Sequence, residues 1–210
     1  KKLTKKLDFV QKAQIPFATA KSLTKTGFNV AADTKNPKAL RQSADRRFDP
    51  KATPFTKRGF RFTKATKKNQ KTVIYIMPEQ EKYMQFMIQG GTRFPDRNKI
   101  MVPTGQIRLN QFGNITKNTI EKIRADRKKF FFGTPKGQPE EPNAIWERYG
   151  RSKSHPSGRR IRPLALLTDS AKYKPIFPFK AIVKNVVFSR KGGFADEFRK
   201  TLKEAIRSAK

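Results

Sequence analysis

The sequence contains no cysteine and only one histidine, His155. Without cysteine there are no disulfide bonds and no thiolate ligands for a metal. His155 stands in the loop-like sequence Ser-His-Pro-Ser, with no acidic residue close to it along the chain. Catalytic and metal sites need several histidine, cysteine or carboxylate side chains at workable spacing, and the sequence offers no such group. We therefore predict no enzymatic activity, no metal and no other cofactor, and we interpret His155 as a surface side chain.

Acidic residues are scarce too, since 16 of them face 49 lysines and arginines and the net charge is +33. The glycine pairs Gly90-Gly91 and Gly192-Gly193 lack the strand–loop–helix context of a phosphate-binding loop. No apolar run approaches the roughly 20 residues of a membrane span, and the basic first residues are not followed by the apolar stretch of a signal peptide. We expect a protein that neither spans a membrane nor carries an export signal.

What the sequence has in excess is positive charge in clusters. The stretches 51–77, 148–168 and 170–195 contain no Asp or Glu. Evenly spread cations would be screened over a Debye length of about 8 Å, whereas clustered cations oppose folding unless an anion lies against them. Nucleic-acid phosphate is the anion that we expect, because its neutralisation releases condensed counterions. An anionic membrane and a merely solvated basic surface are the other interpretations of the same clusters.

Basic side chains of the first two stretches are our candidates for phosphate contact, which requires no particular base sequence. They are Lys57, Arg58, Arg61, Lys64, Lys67, Lys68, Arg148, Arg151, Lys153, Arg159, Arg160 and Arg162. The segment from Arg58 to Phe62 also partly resembles the aromatic strand signature of RNA-recognition motifs. Because Arg61 stands where that signature has a small residue, we assign Phe60 and Phe62 to the core and keep base stacking as the alternative.

The stretch 51–77 is also the predicted centre of the fold. In a strand of period two, Phe60 and Phe62 lie on one face and Arg61 on the other, so a core face is backed by a basic face. The apolar residues 73–77 fall on both faces, which is typical of a strand that is covered on both sides. We expect these residues to supply strands of a sheet whose outer side displays cations.

The pattern along the whole chain predicts an α+β fold, with a central, mostly antiparallel sheet and amphipathic helices at the N-terminal and C-terminal ends. Helices are expected at 3–14, 17–26 with Gly27 as the stop, a short one at 37–44, one from Pro78 that Gly90-Gly91 ends, 115–126 and 194–209. Further strands are expected at 100–102, 129–132, 144–149, 162–168 and 179–189. We divide the chain into an N-terminal helical segment (1–32), an extended arm or linker (33–54) and an α+β core domain (55–210).

Several short motifs, spread over most of the chain, resemble those of one protein family. They are the segment from Gln14 to Leu23, Tyr83 to Phe86 followed by Gly90-Gly91, Ile100 to Pro103, Phe112 to Ile115, Arg148 to Arg151, and the C-terminal helix with Phe194, Phe198 and Leu202. The family is that of the tailed-phage minor tail Z-like proteins, also called tail completion or neck proteins.

The resemblance implies a non-enzymatic virion protein, assembled in the host cytoplasm as a homo-oligomeric ring at the head–tail junction or in the upper tail. Its neighbours would be other neck, portal or tail proteins, and genomic double-stranded DNA would pass through or nearby and be contacted without sequence preference. Two alternatives remain open. One is a free, sequence-nonspecific RNA- or DNA-binding protein of ribosomal or chromatin type, and the other is a tail protein whose cations bind acidic protein partners only.

Overall fold

The computed structural model describes residues 10–95, 98–151, 158 and 160–208. The chain divides into two compact units: Lys1–Ile88 with Pro175–Lys210, which we call the terminal unit, and Gln89–Lys174, the central unit. The predicted α+β class is confirmed, because helices lie toward both ends of the chain and the described strands pair in an antiparallel manner.

The terminal unit is mainly helical. Its elements are a π-helical segment (Val10–Gln14), α1 (Ile15–Ala31), α2 (Leu40–Arg47), α3 (Pro54–Arg58), β1 (Phe60–Phe62), β2 (Ile74–Ile76), α4 (Pro78–Gln89), α6 (Phe179–Val187) and α7 (Phe194–Ser208). Its core surrounds the fully buried Phe177, whose ring centroid lies 5.6 Å from that of Phe60 and 5.7 Å from that of Phe48. Large aromatic side chains thus supply much of the buried apolar area.

Helix α1 continues past its expected end. The predicted stop at Gly27 is wrong, because the helix runs on to Ala31 and Gly27 is buried inside it. A Cβ atom at this position would lie 2.7 Å from Cδ2 of Phe62 and 2.8 Å from Cγ2 of Thr72. Glycine therefore allows the side chains of Phe62 and Thr72 to lie directly against the helix. Of the helix predicted at 3–14, the part before Val10 lies outside the described residues.

The segment 33–54, expected as an extended arm or linker with a short helix at 37–44, folds onto the core of the terminal unit. It contains α2, whose Leu40 and Ala44 are fully buried, and Ala39 and Ala52 on either side of that helix are buried as well. The prolines and polar residues of this segment therefore mark short connections around a helix.

The strand predicted at 179–189 is wrong, because these residues form helix α6. Ile182 and Val186 are buried and stand four residues apart, and Phe179 and Val183 pack beside them. This is the spacing of a helical stripe. The β-branched residues of this segment favour a strand by intrinsic propensity. The packing of its apolar side chains against the core outweighs that propensity and selects the helix.

The hairpin of β1 and β2 places Arg61 opposite Tyr75. The predicted alternation is confirmed, since Phe60 is 1% exposed while Arg61 is exposed. The expected cover on both sides of residues 73–77 is wrong, because Val73, Tyr75 and Met77 are all about two-fifths exposed. The outer face of this hairpin is therefore open and carries both apolar and basic side chains.

The central unit is built on an antiparallel sheet. Its elements are β3 (Gly91–Arg93), β4 (Ile100–Pro103), α5 (Lys117–Ala125), β5 (Phe130–Gly133), β6 (Ala144–Tyr149), β7 (Arg160–Thr168) and β8 (Ala171–Tyr173). Strands β4, β7, β6 and β5 form one sheet in that order, and β3 pairs with β8 separately. The core joins Ile123 of α5 to Ile145 of β6 and Leu164 of β7. The strands predicted between 100 and 168 are thus confirmed.

Gly193→Ala is expected to lower the free energy of unfolding by about 2 kcal/mol, because overpacking a closed site costs 1–3 kcal/mol. Gly193 is buried just before α7, and a Cβ atom there would collide with the carbonyl oxygen of Ser189 and lie 2.7 Å from that of Val187. Both are backbone atoms, so the clash cannot be relieved by rotating a side chain. Urea unfolding followed by helical circular dichroism measures the effect. Gly105→Ala is the control, since a Cβ atom there meets nothing within 4 Å, and an equal loss in both variants would contradict the prediction.

Candidate nucleic-acid interface

The first group of predicted basic residues lies on α3 and the β1–β2 hairpin. Thr53 caps α3 by accepting a hydrogen bond from the Thr56 amide at 3.0 Å, and Arg58 ends the helix. Arg61 follows on β1, and the connection to β2 carries Lys64, Lys67 and Lys68. We call Arg58, Arg61, Lys64, Lys67 and Lys68 the hairpin cluster.

The hairpin cluster is exposed and its charge is not compensated locally. All of its members have exposed side chains. Within the described part of the chain, no carboxylate forms an ion pair with any of them. Arg58 donates a long hydrogen bond, 3.4 Å, from Nε to the carbonyl oxygen of Pro54. These cations are therefore available to an external anion.

A partly buried guanidinium, that of Arg41, lies close enough to Arg61 for the two charges to interact. Nε of Arg41, on α2, is buried and has no hydrogen-bond partner among the described residues. Burial, and then the charge of Arg61, lower the pKa of Arg41 below its usual value. Two guanidinium groups that repel each other are stabilised when an anion binds between or beside them.

Lys57 has a partner inside the protein. Its ammonium lies 3.0 Å from Oδ2 of Asp45, and both side chains are about 70% buried. The pair links α3 to α2 within the terminal unit. The charge of Lys57 is therefore compensated within the protein, and we assign Lys57 to stabilising the fold and not to binding an external anion.

Arg148 and Arg162 are likewise engaged within the central unit. Arg148 donates hydrogen bonds to the carbonyl oxygens of Arg127 and Lys128 at 3.2 Å, and its guanidinium lies 4.4 Å from the ring centroid of Phe131. Arg162 donates to Glu147 at 2.7 Å. Both side chains connect neighbouring parts of the central unit.

The remaining predicted residues of the central unit lie around the β6–β7 connection. Arg151 follows β6 and Arg160 begins β7, and both are exposed. Lys153, Arg159 and the lone histidine His155 lie outside the described residues. The structure thus describes a smaller exposed group here than on the hairpin.

One basic cleft in the terminal unit was missed by the sequence reasoning. A cavity of about 630 Å³ is lined by the cations Lys38, Arg46, Arg47, Arg190 and Lys191, and no acidic residue lines it. We call these residues the cleft cluster. Its two halves are far apart in sequence, and Asp45 and Asp49 stand beside Arg46 and Arg47 along the chain. The acid-free stretch 170–195 already contains Arg190 and Lys191, but nothing in the sequence indicates that they lie beside the basic end of α2.

These arrangements are suited to binding phosphate through exposed ammonium and guanidinium groups. Within the described ranges, no group of three His, Asp or Glu side chains is placed to hold a metal ion. The helices of that same part of the chain include none that is long and apolar enough to cross a membrane. No protein-family model, curated protein or solved structure matches the chain.

Proposed function

We propose that the chain is a structural, non-enzymatic virion protein of a tailed phage. It assembles as a homo-oligomeric ring at the head–tail junction or in the upper tail, beside neck, portal or tail proteins, and its basic surface contacts genomic double-stranded DNA without sequence preference. The motif resemblance supports the virion setting and the ring. The exposed hairpin cluster supports the DNA contact, and this is the observation that carries the proposal.

The hairpin cluster suits a duplex because it concentrates cations over a short length of chain. Duplex DNA carries one negative charge for about every 1.7 Å of its axis, so neighbouring cations on one hairpin find neighbouring phosphates. The ammonium and guanidinium groups require no base edge, which makes the contact independent of sequence.

A ring makes the DNA contact more important. Copies of a chain with a charge of +33 repel one another when they are brought together. Phosphate inside the ring offsets that repulsion and adds counterion release to the assembly. Assembly and DNA binding are therefore expected to reinforce each other.

The test combines DNA affinity with native mass. We expect the logarithm of the binding constant to fall linearly with the logarithm of salt concentration, with a slope of about −4 if four or five phosphates are neutralised. Two unrelated duplexes of equal length should bind with the same affinity, and native mass spectrometry with DNA should give a discrete multiple of the 24.2 kDa chain. Tight binding by monomers alone would contradict the ring, and salt-independent binding would contradict the DNA contact.

A further inference from the structure

A groove on the terminal unit combines an apolar floor with a cationic rim. It has a volume of about 600 Å³ and lies between α1 and the connection that follows β1. Phe17, Phe28 and Phe62 supply rings to it, and Lys21, Lys25, Lys64 and Lys67 are its basic residues. Lys64 and Lys67 also belong to the hairpin cluster, so the groove shares two cations with the proposed DNA contact. What the groove adds is an apolar floor, which phosphate contact does not need.

Two aromatic rings of the groove floor remain partly exposed to solvent in the folded protein. Phe17 and Phe28 are 39% and 44% exposed. They are eleven positions apart on α1, which places them on nearly the same face and about 16 Å apart along the axis. Aromatic side chains exposed together in a groove with a polar rim are typical of a site that binds a partner.

The rim provides ammonium groups next to this floor. The Lys67 ammonium lies 5.4 Å from the ring centroid of Phe17, and the Lys21 ammonium lies 6.0 Å from it. Lys21 also pairs with Glu204 at 3.0 Å. Lys25, Lys64 and Lys67 form no ion pair with a described residue. The groove therefore suits an occupant that is apolar in the middle and negatively charged at its edges.

The hydrogen-bonding groups of the groove favour a peptide over a nucleobase. The Thr24 hydroxyl inside the groove already accepts a hydrogen bond from the Ala65 amide at 3.0 Å. A base edge buried there would lose its hydrogen bonds to water, which is costly, whereas a buried Phe or Leu side chain would lose none. A DNA duplex keeps its base faces stacked and would leave the Phe rings uncovered.

Charge argues against a second copy of this chain as the occupant. A second copy has only 16 acidic residues against 49 basic ones, so it would bring far more cations than carboxylates to this cationic rim. The chain's own first residues, Lys-Lys-Leu-Thr-Lys-Lys, would bring further lysines to a lysine rim. An acidic segment of another protein has the complementary charge.

We propose that this groove binds an acidic segment of a partner protein, in which glutamates or aspartates flank two bulky apolar side chains. Side chains four positions apart on an extended chain are separated by about 13 Å, at about 3.3 Å for each residue, and their own length reaches the two rings, which are about 16 Å apart. The apolar side chains cover the two rings, and the carboxylates pair with Lys25, Lys64 and Lys67. This partner site goes beyond the proposed DNA contact by its apolar floor, and it shares Lys64 and Lys67 with that contact.

The probe is a fluorescein-labelled peptide, Glu-Phe-Glu-Ser-Glu-Leu-Glu, in which Phe and Leu stand four positions apart on one face of an extended chain. By fluorescence anisotropy, we expect it to bind about tenfold more tightly, or better, than the same peptide with Ser in place of Phe and Leu, because two apolar side chains are buried. In wild-type protein, the amide signals of Ala20, Ala65 and Thr66 should shift in nuclear magnetic resonance spectra.

The variant Phe17→Ser/Phe28→Ser should lose the preference for the apolar peptide while keeping its affinity for duplex DNA within about twofold, since phosphate contact does not use the rings. Phe94→Ser/Phe188→Ser is the matched control, because these rings are 69% and 76% exposed and do not line the groove. Absence of peptide binding, equal binding of both peptides, or amide shifts outside the groove would overturn the proposal. So would a loss of affinity for a single-stranded oligonucleotide in the groove variant with unchanged peptide binding.

Discussion

Replacing the five residues of the hairpin cluster by glutamine is expected to lower the affinity for duplex DNA about 10²-fold to 10³-fold at 0.15 M salt. Counterion release at this salt concentration contributes roughly a factor of five for each phosphate neutralised, so leaving three or four phosphates without a cation gives this range. The salt slope should become shallower by about one for each phosphate that is no longer neutralised. Glutamine keeps the side chains polar, and their exposure means that the fold should persist.

The control carries the same change in charge at another place. Lys117, Lys122, Lys136, Lys172 and Lys174 are exposed residues of the central unit, and their replacement by glutamine also removes five positive charges. We expect a decrease in affinity of only a few-fold, because charges that do not contact phosphate act only through screened, long-range attraction. An equal decrease in both variants would mean that net charge alone, and not the hairpin cluster, binds DNA.

Charge reversal at the same five positions separates the DNA contact from the acidic-partner alternative. Replacing the hairpin cluster by glutamate should abolish DNA retention while the ring still forms, if phosphate is the anion, because a change of ten charges in each chain also lowers the repulsion that DNA otherwise offsets. If acidic protein partners are the anion, assembly itself should fail. Native mass and DNA affinity, measured on one preparation, distinguish the two results.

The sequence could predict those features of the fold that depend on neighbouring residues. The alternation at Phe60, Arg61 and Phe62 follows from strand geometry, and the structure has it. The role of Gly27 could not be predicted, because it depends on Phe62 and Thr72, which come close only in the folded chain. Helix α6 shows a different limit, since its Val and Ile content favours a strand while its packing requires the helical spacing.

The same distinction applies to the candidate site. The hairpin cluster is visible in the sequence because its cations are close together and lack acidic neighbours. Lys57 and Arg162 have the same local appearance, yet their carboxylate partners Asp45 and Glu147 are twelve and fifteen residues away. The cleft cluster joins two parts of the chain that only folding brings together. Local acid-free stretches thus identify exposed cations but not their internal partners.

Glu147→Gln is expected to destabilise the central unit by about 2–3 kcal/mol at pH 7, because it leaves cations beside a buried site without their counter-charge. Glu147 is 8% exposed on β6 and accepts hydrogen bonds from Nε of Arg162 at 2.7 Å, while the Lys129 ammonium lies 3.1 Å away. The expected destabilisation is at the low end for a buried pair because the side chains of Arg162 and Lys129 are 40% and 50% exposed and partly screened.

The effect should depend on pH with a definite sign. Burial alone would raise the pKa of Glu147, but the hydrogen bonds and charges of Arg162 and Lys129 outweigh it and hold the pKa below its usual value. The charged form is therefore favoured in the folded state, and its stabilisation is complete above the unfolded-state pKa of about 4.3. It is lost as the pH falls through the lower, folded-state pKa, so wild type and variant should begin to converge once the pH falls below the unfolded-state pKa.

Urea unfolding followed by the fluorescence of Trp146, the sole tryptophan and the neighbour of Glu147 on β6, measures this difference between pH 3 and pH 7. Glu121→Gln is the control, since its pair with Lys117 is exposed, 3.7 Å long and within one helix. Such pairs contribute about 0.3–0.5 kcal/mol, so the control should hardly change. A stability difference for Glu147→Gln that stayed constant over the whole pH range would show that the missing charge is not its cause.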